Sequence, residues 1–262
     1  MRLAARVAGI GLVGPGLASW DAARATIAGR APYANTPTRL PAPEALPATE
    51  RRRAGRCVKL ALATGLEAVA RAGADAGALA AIFASSSGDG ENCHAICETL
   101  ASEDRLISPT RFHNSVHNAP AGYWSIATGA TASVDCLGAF DASFGAGLLE
   151  ALTRLAVEPG APVVLVAYDA PYPEPLNGAR PIPDAFGVAF VLAAANGAGP
   201  TIAVDFTRDP AQAAADAGLE ELRRTIPAAR AIPLLELLAR EASGHATLAY
   251  LDGLNLRVEL AQ

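Results

Sequence analysis

A cysteine stands where the sequence pattern would place a thiol nucleophile. The segment TASVDCLGAFDASFGAGLLEALTRL (131–155) puts Cys136 after a short apolar run and before a glycine, small residues and a helical pattern. A strand that brings a thiol to a sharp turn at a helix start would favour the thiolate, because the positive end of the helix dipole stabilises an anion. Cys136 is therefore the first candidate nucleophile.

Two pairs of residues have the i, i+4 spacing that brings metal ligands to one face of a helix. Cys93 and Cys97 form the first pair, in CHAIC, and His113 and His117 form the second, in HNSVH. Neither pair is joined by a second pair at the spacing of a zinc site. We expect no metal and no cofactor, with structural cysteines in the first pair and hydrogen-bonding or interface histidines in the second.

The composition predicts a compact globular protein. Of 262 residues, 51% are hydrophobic and 18% are charged, with a net charge of −5. This length accommodates one large domain or two small ones. The basic residues are scattered except for Arg51–Arg53, which either contact an acidic carrier protein or begin a solvated helix; a nucleic-acid groove is not expected.

Length and cysteine content also bear on location. No apolar stretch reaches the length of a membrane span. Four cysteines in a chain of this length do not form a disulfide framework, so we expect a reduced, cytoplasmic protein.

Strand and helix patterns alternate up to about residue 196. Buried-strand patterns lie at 5–13, 78–90 (ending in small residues and glycine), 132–138, 163–169 and 185–194, and helical patterns at 20–29, 51–73, 91–103, 119–129 and 141–157. This alternation predicts an α/β fold with a mostly parallel or mixed sheet covered on both faces. We expect residues 108–120 to form a loop. The prediction is a domain over 1–196 and a C-terminal extension over 197–262, containing a strand, helical segments and a hairpin turned by Asp252-Gly253.

Four segments, in order, resemble the N-terminal half of the β-ketoacyl synthases, the condensing enzymes of the thiolase fold. RVAGIGLVGPGLASWDAARATIAGRAPY (6–33) resembles the opening strand and glycine turn, and NAPAGYWSIATGA (118–130) the helix before the nucleophile strand. VVLVAYDAP (163–171) and RPIPDAFGVAFVLAA (180–194) resemble the two strands that follow. The resemblance implies a thiolase-like α/β fold with a mixed five-stranded sheet, covering the N-terminal half only, and a small C-terminal extension.

The chain departs from this family at the nucleophile. In active members a cysteine begins the buried helix, where the helix dipole favours its thiolate. The family's usual spacing from Gly129 puts that position near Asp141, with Phe140 as the alternative one residue earlier. Cys136 falls about five residues too early, inside the strand, where burial disfavours a thiolate.

A second departure concerns the catalytic histidines, which active members take from a second thiolase half. His245 lies in SGHATL and lacks the His-Gly-Thr surroundings of the family's catalytic histidine. We therefore expect most of the second half to be missing and the chain to be inactive alone.

A chain with this resemblance and these departures is similar to the chain-length factors, the catalytically silent partners of ketosynthases, and especially to the short ones of aryl polyene systems. The resemblance implies a heterodimer with a full-length ketosynthase, contact with an acyl carrier protein, and a role in polyketide, aryl polyene or fatty-acid-type chain elongation. The implied tunnel or interface residues are Tyr123, Trp124, Leu137, Phe140, Phe144, His113, His117 and Asn118. Two alternatives stay open: an atypical acyl-transferring enzyme that uses Cys136, and a thiolase-like module that binds acyl carrier proteins.

Overall fold

A single mixed β-sheet organises the chain. The computed structural model describes residues 3–262. The strands are β1 (Leu3–Val13), β2 (Ala80–Ala84), β3 (Val134–Leu137), β4 (Val163–Asp169), β5 (Phe186–Ala193), β6 (Thr201–Thr207), β7 (Gly244–Leu251) and β8 (Leu254–Ala261). Their spatial order is β3-β2-β4-β5-β1-β6-β8-β7.

Helices connect most of these strands. They are α1 (Trp20–Ile27), α2 (Ala48–Arg53), α3 (Arg56–Ala72), α4 (Gly90–Ala101), α5 (Pro109–Asn114), α6 (Ala119–Thr128), α7 (Ser143–Val157), α8 (Leu176–Ala179), α9 (Ala217–Thr225) and α10 (Ile232–Arg240). Two 3₁₀ turns, Phe140–Ala142 and Pro227–Ala231, precede α7 and α10.

The sheet combines a parallel and an antiparallel part. β2 runs parallel to both β3 and β4. β5 is antiparallel to β4 and β1, and β6 continues the antiparallel part from β1 to the β7–β8 hairpin. The predicted mixed α/β class is therefore confirmed.

The predicted strand count of five is wrong, because the sheet has eight strands. The five predicted strands are contiguous in the sheet, and β1 would be its edge if they stood alone. Instead, Leu3–Arg6 of β1 pairs with Thr201–Val204 of β6, which in turn pairs with β8. This pairing satisfies backbone N–H and C=O groups that an edge strand leaves open. The predicted boundary at 196/197 stays a prediction.

Each face of the sheet is covered by helices. α3 and α6 cover one face, and α7, α10 and the second 3₁₀ turn cover the other. Two glycines of β1 allow α3 to lie against the strand backbone. A Cβ atom on Gly11 would lie 2.0 Å from the Thr64 carbonyl oxygen, and one on Gly9 would lie 2.1 Å from that of Ala68. Larger residues at these positions would push α3 away.

Two predicted elements differ in the structure. The loop expected over 108–120 contains α5, which begins with Pro109 at its first position, where proline is favoured because that N–H has no helical partner. The helix expected over 51–73 is divided into α2 and α3 at Ala54 and Gly55. None of the helices within residues 3–262 is long and apolar enough to cross a membrane.

Candidate functional site

The turn between β3 and α7 has the geometry of an elbow. Phe140 opens the 3₁₀ turn with φ = 51°, a left-handed conformation that is costly for a residue with a Cβ. Buried Ser143 compensates locally: its Oγ accepts a hydrogen bond from Ala139 N (3.0 Å) and donates one to Phe140 O (2.7 Å). We call residues 138–143 the elbow. Within the elbow, Phe140 is the residue with the left-handed backbone conformation.

An arginine from another part of the chain stacks on one face of the Phe140 ring. The Phe140 side chain is 61% exposed, and the Arg180 guanidinium carbon lies 3.5 Å from the ring centroid. Arg180 also donates to the Tyr172 hydroxyl over 3.3 Å. This cation–π contact holds the aromatic ring at the protein surface.

The next residue, Asp141, carries the elbow's negative charge. Its carboxylate accepts from Arg180 Nη2 at 2.5 Å and from Arg230 Nη2 at 3.1 Å. Burial lowers the pKa of Arg230, and Asp141 opposes this shift. The two arginines come from the loop before β5 and from the second 3₁₀ turn, so three distant segments meet at the elbow.

Cys136 lies inside β3, paired with Phe83 of β2, and its side chain packs against the core on the α3 side. Burial, with a smaller contribution from Asp135, raises the pKa of the Cys136 thiol to about 11. The thiol form therefore dominates at neutral pH, which disfavours nucleophilic chemistry.

A buried carboxylate fixes the chain near the elbow. Asp169 ends β4 and accepts hydrogen bonds from Ser86 N and Ala228 N, each at 2.8 Å. Burial raises the pKa of Asp169 to about 6, although hydrogen bonds from Ser86 and Ala228 oppose the shift. Asp169 thereby ties the turn after β2 to the 3₁₀ turn that carries Arg230.

The two candidate histidines have separate surroundings. His117 Nε2 lies 3.2 Å from the Ser85 carbonyl oxygen, beside the elbow. His113 contacts the Tyr123 ring edge-on, with centroids 6.2 Å apart. No group of three or more His, Cys, Asp and Glu is placed to hold a metal ion anywhere in residues 3–262. The structure therefore does not bring the histidines together as ligands.

The large candidate tunnel residues divide by burial. Trp124 and Phe144 are buried in the core of this chain. The Trp124 ring lies edge-to-face with Phe83, with ring centroids 6.0 Å apart, and the Phe144 ring is tilted against Phe190, with centroids 6.1 Å apart. The hydroxyl of buried Tyr123 donates a hydrogen bond to Asn114 Oδ1. Leu137 is half-buried at the end of β3. Their tunnel role stays a prediction.

An apolar surface is formed by α5 and α6. A pocket of about 460 Å³ opens between α5 and α6. Its lining includes Phe112, His113, Val116, Asn118, Ala119 and Gly122. Phe112 and Val116 are 67% and 51% exposed, and Ile126 on α6 is 46% exposed. Together with the open edge of β3, we call these residues the apolar face. Exposed apolar groups and an unpaired strand edge are each typical of a protein–protein contact.

Comparison with known proteins places the chain in a family. The fold and elbow define an α/β protein with thiolase-like topology, and residues 20–248 match the family described as "Beta-ketoacyl synthase, N-terminal domain". The chain belongs to this family. Among curated protein sequences, no match is found.

Several solved structures have a similar fold. The complex of the ketosynthase ApeO with its chain length factor ApeC from Xenorhabdus doucetiae matches with a TM-score of 0.73 and 22% identity, over 99% of this chain and 100% of that one. The structure described as the ishigamide ketosynthase/chain length factor matches with a TM-score of 0.72 and 15% identity, over 98% of this chain and 99% of that one. The AntDE:AntF structure, a type II PKS acyl-carrier protein in complex with its ketosynthase, matches with a TM-score of 0.73 and 12% identity, over 100% of this chain and 99% of that one. At these identities the likeness establishes the fold.

Proposed function

We propose that this chain is a non-catalytic ketosynthase-like subunit, a chain-length factor that pairs with a full-length ketosynthase and shapes its acyl tunnel. The observation that carries the proposal is the elbow. At the strand-to-helix turn where a condensing enzyme needs a nucleophile, the chain has Phe140, held by Ser143 and stacked against Arg180. A phenyl ring cannot form an acyl thioester, so chemistry falls to the partner.

The apolar face supports a heterodimer. β3 lies at the edge of the sheet, and the pocket between α5 and α6 is next to it in the chain. A partner strand that paired with β3 would satisfy its open backbone groups and cover Phe112, Val116 and Ile126. Two of the similar structures are described as a ketosynthase with a chain length factor, which supports this choice of partner.

The proposal extends to a carrier protein and to a class of pathway. A third similar structure is described as including an acyl-carrier protein of a type II PKS. We propose that the present chain acts with an acyl carrier protein in polyketide, aryl polyene or fatty-acid-type elongation. Phe140 and Leu137 are the candidate tunnel residues best placed beside the apolar face, because each follows or ends β3.

The proposal also covers location and domain organisation. All four cysteines are free, which supports a cytoplasmic setting, where thiols stay reduced. We propose residues 197–262 as an extension packed on the domain formed by 1–196, supported by the pairing of β6 with β1.

The test is co-expression with a full-length ketosynthase. We expect a stable heterodimer, no condensing activity from this chain alone, and products whose length shifts when Phe140 is replaced by Ala. Phe206→Ala is the matched control, because Phe206 is similarly exposed (58%) but lies on β6, away from β3. Condensing activity of the isolated chain, or failure to bind the ketosynthase, would contradict the proposal.

Two other outcomes would identify the alternatives. A covalent acyl adduct on Cys136 would support the acyl-transferring enzyme. Binding of an acyl carrier protein without any affinity for the ketosynthase would support the carrier-binding module.

A further inference from the structure

Two of the four cysteines lie exposed on one face of α4. Cys93 and Cys97 are four residues apart in this helix, and both are exposed and free. Residues at this spacing are neighbours on a helix surface. Cysteine is among the residue types most often buried in proteins, so core packing does not account for an adjacent exposed pair. We call Cys93 and Cys97 the thiol pair.

The other two cysteines are shielded from reagents. Cys57 is buried, and its Sγ donates a hydrogen bond to Gly88 O at 3.5 Å. Burial raises the pKa of the Cys57 thiol well above its ordinary value. Cys136 is half-buried in β3, with a pKa of about 11. Because the thiolate is the form that attacks a disulfide, exchange is directed to the thiol pair.

The two members of the thiol pair have different surroundings. Cys93 Sγ donates a weak hydrogen bond to Ser115 O at 3.8 Å. Burial, Asp89 and Cys97 each raise the pKa of the Cys93 thiol, and the contribution of Cys97 shows that the two sulfur atoms interact. Cys97 is therefore the first to react, and Cys93 resolves the product. An exposed thiol beside a resolving thiol is typical of cysteines that are reversibly oxidised.

Helix α4 is weakly anchored to the rest of the chain. Of its 12 residues, all of which the structure describes, Asn92 alone is buried. Its side chain donates from Nδ2 to Arg111 O at 2.7 Å. The remaining turns, residues 93–101, bury no residue, so little apolar surface opposes their local opening.

A disulfide between the paired thiols requires such an opening. Side chains four residues apart on a helix have Cβ atoms about 5–6 Å apart. A disulfide needs a Cβ separation of about 3.5–4.5 Å. The bond therefore forms at the expense of helical hydrogen bonds around it and carries strain. Strained, exposed disulfides are easily reduced, and transient disulfides of this kind occur in reducing compartments.

We propose that Cys93 and Cys97 form a reversible disulfide by exchange with a low-molecular-weight disulfide of the glutathione type. The Cys97 thiolate, whose proton has passed to solvent, attacks one sulfur of that disulfide, so that a mixed disulfide forms and one small thiol leaves. The Cys93 thiolate then attacks the Cys97 sulfur, the mixed disulfide breaks, and the second small thiol leaves. The two cysteines lose two electrons and two protons, and the small disulfide gains them as two thiols.

The modification reaches α5. The hydrogen bonds from Asn92 to Arg111 O and from Cys93 to Ser115 O join α4 to this helix and to the residue after it. When Cys93 Sγ turns toward Cys97, its contact with Ser115 O is lost. Helix α5 carries Phe112 of the apolar face, so oxidation loosens one wall of that face. The disulfide forms within this chain, so the inference stands or fails without a ketosynthase.

The experiment equilibrates the purified full-length chain with mixtures of reduced and oxidised glutathione, quenches in acid, blocks free thiols with N-ethylmaleimide and maps tryptic peptides by mass. Cleavage after Arg71 and Arg105 gives the peptide 72–105, which contains the thiol pair and no other cysteine. We expect this peptide to lose two hydrogen atoms and to carry no maleimide, and excess reduced glutathione to restore it. Amide exchange of residues 93–101 and 109–116 should be about three-fold or more faster in the oxidised chain.

Cys97→Ser is the matched variant, because it removes one thiol from an exposed position; far-UV circular dichroism verifies its fold, and it should form no internal disulfide. Cys136→Ser is the control and should leave the disulfide unchanged. The proposal is overturned if peptide 72–105 ends with glutathione on Cys93 or Cys97 and no internal bond, or if the new bond links two chains or includes Cys57. A bond that excess reduced glutathione does not reverse, or unchanged amide exchange in α4 and α5, would also overturn it.

Discussion

The guanidinium of Arg180 contacts both neighbours in the elbow at once: it lies 3.5 Å from the centre of the Phe140 ring and pairs with the Asp141 carboxylate at 2.5 Å. A flat, delocalised cation can stack on a ring with its face while donating from its edge, and an ammonium group cannot. One side chain therefore orients an aromatic ring and neutralises the charge next to it.

Replacing Arg180 by Lys should destabilise the protein by about 1–2 kcal/mol, because the stacking contact and the forked geometry are lost while the charge remains. Urea unfolding measures this loss. A double-mutant cycle with Asp141→Asn should return a coupling energy of about 1 kcal/mol, reduced by solvent because Asp141 is partly exposed.

The surface pair between Arg71 and Asp21 provides the comparison, since the Asp21 side chain is 72% exposed. Arg71→Lys should change stability by less than about 0.5 kcal/mol. Equal losses of stability for Arg180→Lys and Arg71→Lys would show that the contacts of Arg180 at the elbow contribute nothing to stability.

Cys136 should alkylate slowly at neutral pH. With a pKa of about 11, on the order of 0.01% of its thiol is ionised at pH 7, and only the thiolate reacts. Timed iodoacetamide labelling with peptide mass mapping should therefore modify Cys97, exposed on α4, well before Cys136. Labelling of Cys136 should accelerate as the pH is raised toward 10. Rapid modification of Cys136 at pH 7 would instead support the acyl-transfer alternative.

Asp169 should make stability depend on pH. Its folded pKa of about 6 is above the ordinary value of 3.8, so folding favours the protonated form. The resulting stabilisation is fully present below about pH 4 and is lost as the pH rises through 6. The free energy of unfolding of the wild type, relative to that of Asp169→Asn, should therefore fall by up to about 3 kcal/mol between pH 4 and pH 7.

Glu220 supplies a control of opposite sign for that measurement. A hydrogen bond from Arg223 lowers the pKa of Glu220, so its contribution is present near neutral pH and is lost as the pH falls through its folded value. Comparison with Glu220→Gln should show the reverse trend. A pH-independent difference for Asp169→Asn would refute the assignment of a raised pKa.

Gly11→Ala should destabilise the protein by about 1–3 kcal/mol or more, because the new methyl group would meet the backbone of α3 at Thr64. Gly160→Ala is the matched control, since a Cβ at that position meets no atom within 4 Å. Thermal unfolding should separate the two variants clearly. Similar melting temperatures would mean that α3 can move away from β1 without cost.

Local patterns were sufficient to predict the elbow's position in the chain. A strand over 132–138 followed by a helix from 141 corresponds to β3 at 134–137 and to the 3₁₀ turn that opens at Phe140. Hydrophobic periodicity and glycine positions are short-range signals, and they report such turns well.

The partners of the elbow could not be predicted in this way. Arg180 and Arg230 lie 39 and 89 residues beyond Asp141, and no local pattern couples them to it. The strand count failed for a similar reason, since the pairing of β6 with β1 joins residues about 200 positions apart. A cavity bordered by α2, the start of α3 and α5 was only partly predicted: Arg51–Arg53 suggested a charged surface, whereas Lys59 and Arg111 join its lining through tertiary packing.

The place of β1 has a consequence for how the chain is made. β1 is synthesised before the other strands of the sheet, yet its two neighbours, β5 and β6, begin at Phe186 and Thr201. At ordinary synthesis rates, this apolar strand waits about ten seconds or more before either neighbour exists. During that time its open edges can bind other chains. Efficient production should therefore depend on chaperones that hold the nascent chain until β5 and β6 emerge.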